Sequence, residues 1–240
     1  MKIIISPAKT VKEGQGQYGN LPQFLIQAEQ IRKEVICKDV PALMQMWGCS
    51  EKIAEVNQKR FAQMELCENL MCAIERYTGM QYQNLDYASL EETQKAYILK
   101  HVLIPDAFYG LLKADDGIVP YRMDFHAQIQ IRGHKDLYEY WKDLPSSLIE
   151  DDLLINLASE EYAKAILPYY SGTAVTIRFM QQKNGKLRSA STLAKKARGM
   201  FVRWMAVRGI ESAEQLKDFD LDGFHYEKDV SDKTCFVFVK

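Results

Sequence analysis

Long apolar runs are missing from this 240-residue chain. Its opening, MKIIISPAKT, reaches only three consecutive Ile before Ser6-Pro7. That falls far short of a secretory leader, and no later segment approaches the roughly 18 apolar residues of a membrane span. A cytoplasmic location away from membranes is the expectation. A paired cysteine framework is missing too: Cys37, Cys49, Cys67, Cys72 and Cys235 are odd in number and irregularly spaced. They read as reduced thiols rather than the staples of a small secreted domain. There is no CxxC pair, Cys67 and Cys72 would point apart on a helix, and His101, His126, His134 and His225 are scattered. No metal site and no cofactor are expected. Net charge is nearly absent at −1, so the overall balance calls for neither a polyanion nor a membrane, and any signal must lie in how charge is distributed.

What is present is enough apolar material, 47% of residues, for one full core near the size at which single cores stop growing. No internal repeat or low-complexity linker divides the chain, so residues 1–240 read as a single domain. Lys2 to Ser6 is a β-branched run ended by Pro7, a buried strand. From about Leu21 to Glu92 the pattern turns helical, with Leu25, Ala28, Ile31 and Val35 recurring at three and four residues. Ala107 to Leu112 reads as a short helical piece, and Ala127 to Arg132, AQIQIR, as a half-exposed strand. Leu153 to Leu157 is a second apolar strand, running into a helix start at Ser159-Glu160-Glu161. Ala174 to Met180, the turn Lys183-Asn184-Gly185-Lys186 and a return near Leu187 to Ala190 make a hairpin. A helix from about Thr192 to Arg208 and a closing strand, Thr234 to Val239, follow. The class is mixed α/β, with a central, largely buried sheet flanked by helices.

Charge is strongly segregated. Between Thr173 and Ile210 there is no Asp or Glu, but there are Arg178, Lys183, Lys186, Arg188, Lys195, Lys196, Arg198, Arg203 and Arg208, which leaves −10 on the rest of the chain. On the helix, Leu193, Ala197, Met200, Phe201 and Trp204 share one face, with Lys195, Lys196 and Arg203 on the other. Gly199 among them would let a ligand's backbone approach closely. With Lys183 and Lys186 at the preceding hairpin tip, this is a basic wall suited to phosphates. The plainer alternative is a solvated face, or one neutralised by the acidic tail from Glu211 to Asp232.

A second locus lies at strand ends, where ligands collect in open α/β sheets. Ser6 and Lys9 follow the first strand, and Asn156 and Ser159 close the second apolar strand. Capping alone would account for Ser159, whereas a polar Asn156 closing an apolar strand must find partners. Ser6-Pro7-Ala8-Lys9 formally matches an S-x-x-K acyl-transfer motif, but the companion S-D-N and K-T-G elements are missing, so that chemistry is not expected. Tyr109 and Arg122 complete the predicted cleft. Tyr109 belongs to a group of aromatics that could stack on bases or simply fill the core, and a lone Arg122 between apolar stretches calls for a fixed anion.

These segments carry a resemblance. Ser6-Pro7-Ala8-Lys9-Thr10, Tyr77-Thr78-Gly79, Tyr109-Gly110-Leu111-Leu112, Pro120-Tyr121-Arg122, Lys135-Asp136-Leu137-Tyr138, Asn156-Leu157-Ala158-Ser159, Lys183-Asn184-Gly185-Lys186 and Ala194-Lys195-Lys196-Ala197-Arg198-Gly199 occur in the order seen in the YaaA family of peroxide-stress resistance proteins. The chain resembles that family end to end, departing from it around residues 105–126. The resemblance implies an unusual single-domain α/β fold with a helix-hairpin-helix element and a positively charged cleft. It also implies binding to double-stranded or structurally distorted DNA, and a role in limiting the free iron that damages DNA under hydrogen peroxide.

The expected function is therefore a DNA-binding protein of the peroxide response, with phosphates on Lys183, Lys186, Lys195, Lys196, Arg198 and Arg203. The alternative is an enzyme acting on a nucleotide or nucleic-acid base in a pocket around Ser6, Lys9, Asn156 and Ser159; no catalytic constellation argues for turnover. Direct iron sequestration lacks an Asp, Glu and His set at ligand spacing. The oligomeric state is open, a monomer among the options.

Overall fold

The computed structural model describes residues 1–240. Eight strands make one sheet: β1 (Lys2–Ile5), β2 (Val102–Asp106), β3 (Gly110–Lys113), β4 (Leu153–Leu157), β5 (Thr173–Lys183), β6 (Lys186–Arg188), β7 (His225–Tyr226) and β8 (Cys235–Val239). Their order is β7-β8-β5-β4-β1-β2-β3, with β6 folded back on β5. The middle is parallel: β1 lies between β2 and β4, β5 continues beyond β4, and β8 beyond β5. Only β3, β6 and β7 run antiparallel to their partners. Parallel sheets are covered on both faces, so their strands are apolar throughout rather than alternating. Ile3, Ile4 and Ile5 are indeed without solvent access, and Val102–Asp106 is buried along its whole length.

The covering helices are α1 (Leu25–Ile36), α2 (Val40–Trp47), α3 (Glu51–Gln63), α4 (Met80–Leu85), α5 (Glu92–His101), α6 (Leu137–Trp141), α7 (Glu160–Ala163) and α8 (Ser191–Arg208). Helix α1 buries Ala28, Ile31 and Val35 at the spacing that predicted it. Helix α2 starts where the Asp39 carboxylate accepts the Ala42 N–H at 2.9 Å. The basic hairpin turns at Asn184 (φ 52°) and Gly185 (φ 70°), the left-handed pair a tight two-residue turn requires. Helix α8 seats Phe201 against Phe179 of β5 and Phe219, with ring centroids 5.6 and 4.7 Å away.

Four local expectations are corrected. Residues 107–112 are not helical: they form the turn and second arm of the β2–β3 hairpin, where Gly110 (φ 76°) lies against the Trp141 ring and leaves no room for a Cβ. Residues 127–132 alternate between buried and exposed as AQIQIR predicts, but they join no ladder beyond an isolated bridge between Ile131 and His134. The helical layer is interrupted between Met64 and Gly79 by the short strands Met71–Cys72 and Tyr77–Thr78 around one turn, Ala73–Arg76. The cause is Arg76, which is fully buried and donates to the carbonyls of Lys12, Gly14, Asn69 and Ile118. Irregular backbone survives in the interior only with partners of this kind.

The fourth concerns Gly199. It does not make room for a ligand: a Cβ there would overlap the carbonyl oxygen of Gln81 and crowd Asn84, so the glycine lets α8 cross α4 in direct contact. A Gly199→Ala variant is expected to lose about 1–3 kcal/mol of unfolding free energy, the usual cost of overpacking. Urea denaturation checks this, and an unchanged midpoint would mean that α4 yields freely.

Candidate functional site

The connections from β1 lead to β2 on one side, while β4 pairs on its other side. A sheet that winds both ways from one strand leaves a crevice at the carboxyl ends of the strands flanking that point. Ser6 and Ser159 meet there, each just past the end of its strand. The Ser6 hydroxyl accepts the Ser159 N–H at 2.8 Å and lies 3.3 Å from the Ser159 hydroxyl oxygen. The Ser6 carbonyl accepts the Tyr82 hydroxyl at 3.0 Å. Ser159 makes no capping bond to α7, a helix of only four residues, so capping does not account for it.

Above this junction lies a cavity of about 290 Å³, which Ser6, Lys9, Ser159, Lys195 and Arg198 help to line, with Gln81, Tyr82, Glu161 and Tyr162. Lys9 pairs with the buried Asp124 carboxylate at 3.2 Å rather than with Ser6. One carboxylate oxygen of Glu161 accepts the Phe125 N–H at 2.9 Å, and the other lies 3.7 Å from Nε2 of the exposed His126. Burial, and then the nearby Asp124 charge, raise the Glu161 carboxyl above the usual range. Among the cations lining this cavity, Arg198 has a buried donor without a partner; outside it, Arg122 has one too. The Arg198 Nε is shielded from solvent with no hydrogen-bond partner, no carboxylate pairs with the guanidinium, and burial lowers its pKa. A guanidinium left in that state is short of an anion.

Arg198 also lines a second, wider cavity of about 610 Å³ between α7, β5 and α8, together with Asn156, Lys164, Thr176, Arg178 and Ser189. Asn156 is tied down inside it: its amide donates to the Thr176 hydroxyl at 3.2 Å and its oxygen accepts the Ala158 N–H at 3.0 Å. It shapes the strand end instead of reaching into the first cavity.

Several predicted residues stand elsewhere. Tyr109 has no solvent exposure and packs with Phe108 and Tyr121 in the core, so it is not a cleft residue. Arg122 lines neither cavity. Its backbone is gripped on both sides by the Asn57 amide at 2.7 and 2.9 Å, and no carboxylate supplies the anion its position suggested. Arg203 is committed to the carbonyls of Leu85 and Asp86 and to the Ser89 hydroxyl. Lys196 pairs with Asp222 at 3.2 Å, so the acidic tail does neutralise part of the basic face. Lys183, Lys186 and Lys195 remain exposed. Sequence reasoning missed Gln81, Tyr82 and Asp124, because only the fold brings their segments to the end of β1.

The pH dependence of Glu161 has a definite sign. Its folded pKa exceeds its unfolded one, so its contribution favours folding at low pH and is lost as pH rises from about 4.5 through the folded value. Glu161→Gln is expected to gain melting temperature relative to wild type above that range and to converge with it below. A difference independent of pH in a melting series would remove this assignment.

The family model described as "Peroxide stress protein YaaA" matches residues 1–230. A UPF0246 protein of Agathobacter rectalis is 37% identical, over 99% of this chain and 98% of its own length. A UPF0246 protein of Ligilactobacillus salivarius is 37% identical over all of both chains. One from Desulfitobacterium hafniense is 35% identical over 100% of this chain and 98% of its own. With the family pattern met almost end to end and the identity sustained along its length, the chain belongs to the YaaA family of peroxide stress proteins.

Proposed function

We propose that this protein serves the peroxide stress response by binding DNA, holding the phosphate backbone along the wider cavity and the basic hairpin beside it. The observation that carries the reading is Arg198, a half-buried guanidinium whose shielded Nε has no partner and which has no counter-ion, on the wall of an open groove that also offers Arg178 and Lys164. A desolvated cation gains most from an anion that arrives from outside, and phosphates are such anions. Exposed Lys183, Lys186 and Lys195 extend the positive surface from that groove. The pI of about 6.4 argues against a polyanion-binding surface spread over the whole molecule, so recognition would be confined to this side.

For the helix-hairpin-helix element that the resemblance implies, our candidate is α2 and α3, consecutive helices joined by a three-residue turn in which Gly48 has φ 55°. The basic segment itself is a β-hairpin followed by a single helix. Protection from iron-driven damage would act through the DNA. No three His, Cys, Asp or Glu side chains come together as a ligand set, and the iron-limiting part of the reading rests only on what the sequence resemblance implies.

Binding of labelled duplex and junction DNA across a salt series tests the proposal. Affinity should fall steeply with salt. Neutralising Lys183 and Lys186 together should make the log–log slope shallower by roughly two, since each phosphate that the protein ceases to neutralise accounts for about 0.9. Arg203→Ala should instead lower the melting temperature and change the slope less than the lysine pair does, because one of its terminal nitrogens is held by protein carbonyls. Absence of salt-dependent binding, or a slope indifferent to the lysines, would overturn the assignment.

A further inference from the structure

The two cavities share one wall, and the shared residue is Arg198. The wider side is open and cationic, fit for a strand's backbone. The narrower side, at about 290 Å³, falls at the small end of ligand pockets. Its size suits a ligand of about one nucleotide. Its carboxylates also lie apart from Arg198, although Lys9 and His126 accompany them. Arg198 feels no carboxylate, whereas Glu161 stands in a group with Asp124, Lys9 and His126. Tyr82 and Tyr162 supply aromatic surface between.

We propose that the narrower cavity receives a single nucleotide unit, its phosphate on Arg198 and the N–H edge of its base on the Glu161 carboxylate. For DNA bound as described above, the unit would be one nucleotide swung out of the stack. The backbone stays in the wider groove, and the guanidinium at the boundary holds the phosphate about which the nucleotide turns. This extends the backbone-binding reading without depending on it, since a free 5′-mononucleotide has the same phosphate and base edge. The Glu161 side chain is already oriented by the Phe125 N–H through one oxygen; the second, 3.7 Å from Nε2 of the exposed His126, is the one a base can reach by displacing that ring. Gln81, buried on the same lining with its amide 3.4 Å from the Ser6 carbonyl, can read a further base position. A carboxylate acceptor favours bases that present an amino or ring N–H group.

The test uses a duplex carrying one 2-aminopurine opposite an abasic position, whose fluorescence rises when the base leaves the stack. Saturating wild-type protein should raise the emission severalfold. Ala8 lines the narrower cavity and not the wider one, so Ala8→Trp, placed to fill it, should keep the salt-dependent affinity and lose the rise; folding is checked by circular dichroism. Glu161→Gln, nearly isosteric, should weaken the rise while leaving affinity intact, and serves if Ala8→Trp does not fold. Saturated binding with no change in emission, or a rise undiminished in both variants, would overturn the pocket assignment and leave backbone binding standing. If DNA is not bound at all, the backbone reading fails and the pocket is judged by titration with free adenosine and cytidine 5′-monophosphates. Binding lost in Arg198→Gln then supports a free nucleotide as occupant, and no binding overturns the pocket as well.

Discussion

Ile3, Ile4 and Ile5 sit in a strand paired on both edges and covered on both faces. A strand so enclosed can offer chemistry only where it ends. The first side chain free to be polar is Ser6, and the only neighbours parallel to β1 end beside it. The crevice is therefore a product of the sheet's parallel centre, and beyond the Ser6–Thr10 stretch that follows β1 itself, the residues that line it are brought there by different crossovers. The helical layer between β1 and β2 contributes Gln81 and Tyr82, the segment after β4 contributes Ser159, Glu161 and Tyr162, and the connection from β5 to β8 contributes Lys195 and Arg198.

Charge along the basic helix divides according to what each side chain finds. Arg203 donates to the Leu85 and Asp86 carbonyls at the end of α4, the second already bonded by Ser89, and so adds to the C-terminal cap from a neighbouring helix. Lys196 is held by Asp222, which also takes Lys240 at 2.9 Å. Arg198, one turn before Val202 and on the side facing the strand ends, finds nothing. Three cations on one helix thus have three fates, and only the unsatisfied one faces a cavity on each side.

Much of the fold is legible in the sequence because its signals are local. The apolar runs of β1 and β4, the Asn-Gly turn, the stripe of α1 and the long helix after the hairpin all stand where periodicity places them. Residues 107–112 read wrongly as helix because Tyr109-Gly110-Leu111-Leu112 has no period of its own; Gly110 is a turn only through its packing against Trp141, far away in sequence. The same holds for Gly199, whose partner is a backbone carbonyl on another helix. The basic segment is visible as composition. What separates Arg198 from Arg203 and Lys196 is not, since desolvation and available acceptors belong to the assembled molecule. Tyr109 and Asn156 show the converse, residue types that look functional and spend their polarity or surface inside the protein.

The register Ile5↔Leu157 has a consequence for synthesis. The first strand leaves the ribosome roughly 150 residues ahead of one of its two edge partners, which at 5–20 residues per second is a wait of about 8–30 s. For that interval three isoleucines and an unpaired strand edge have no native place to go. Closing so long a loop is also what slows folding of non-local sheets. The enclosure that gives the mature protein its cleft makes the nascent chain depend on being sheltered, or on staying dilute, until β4 arrives.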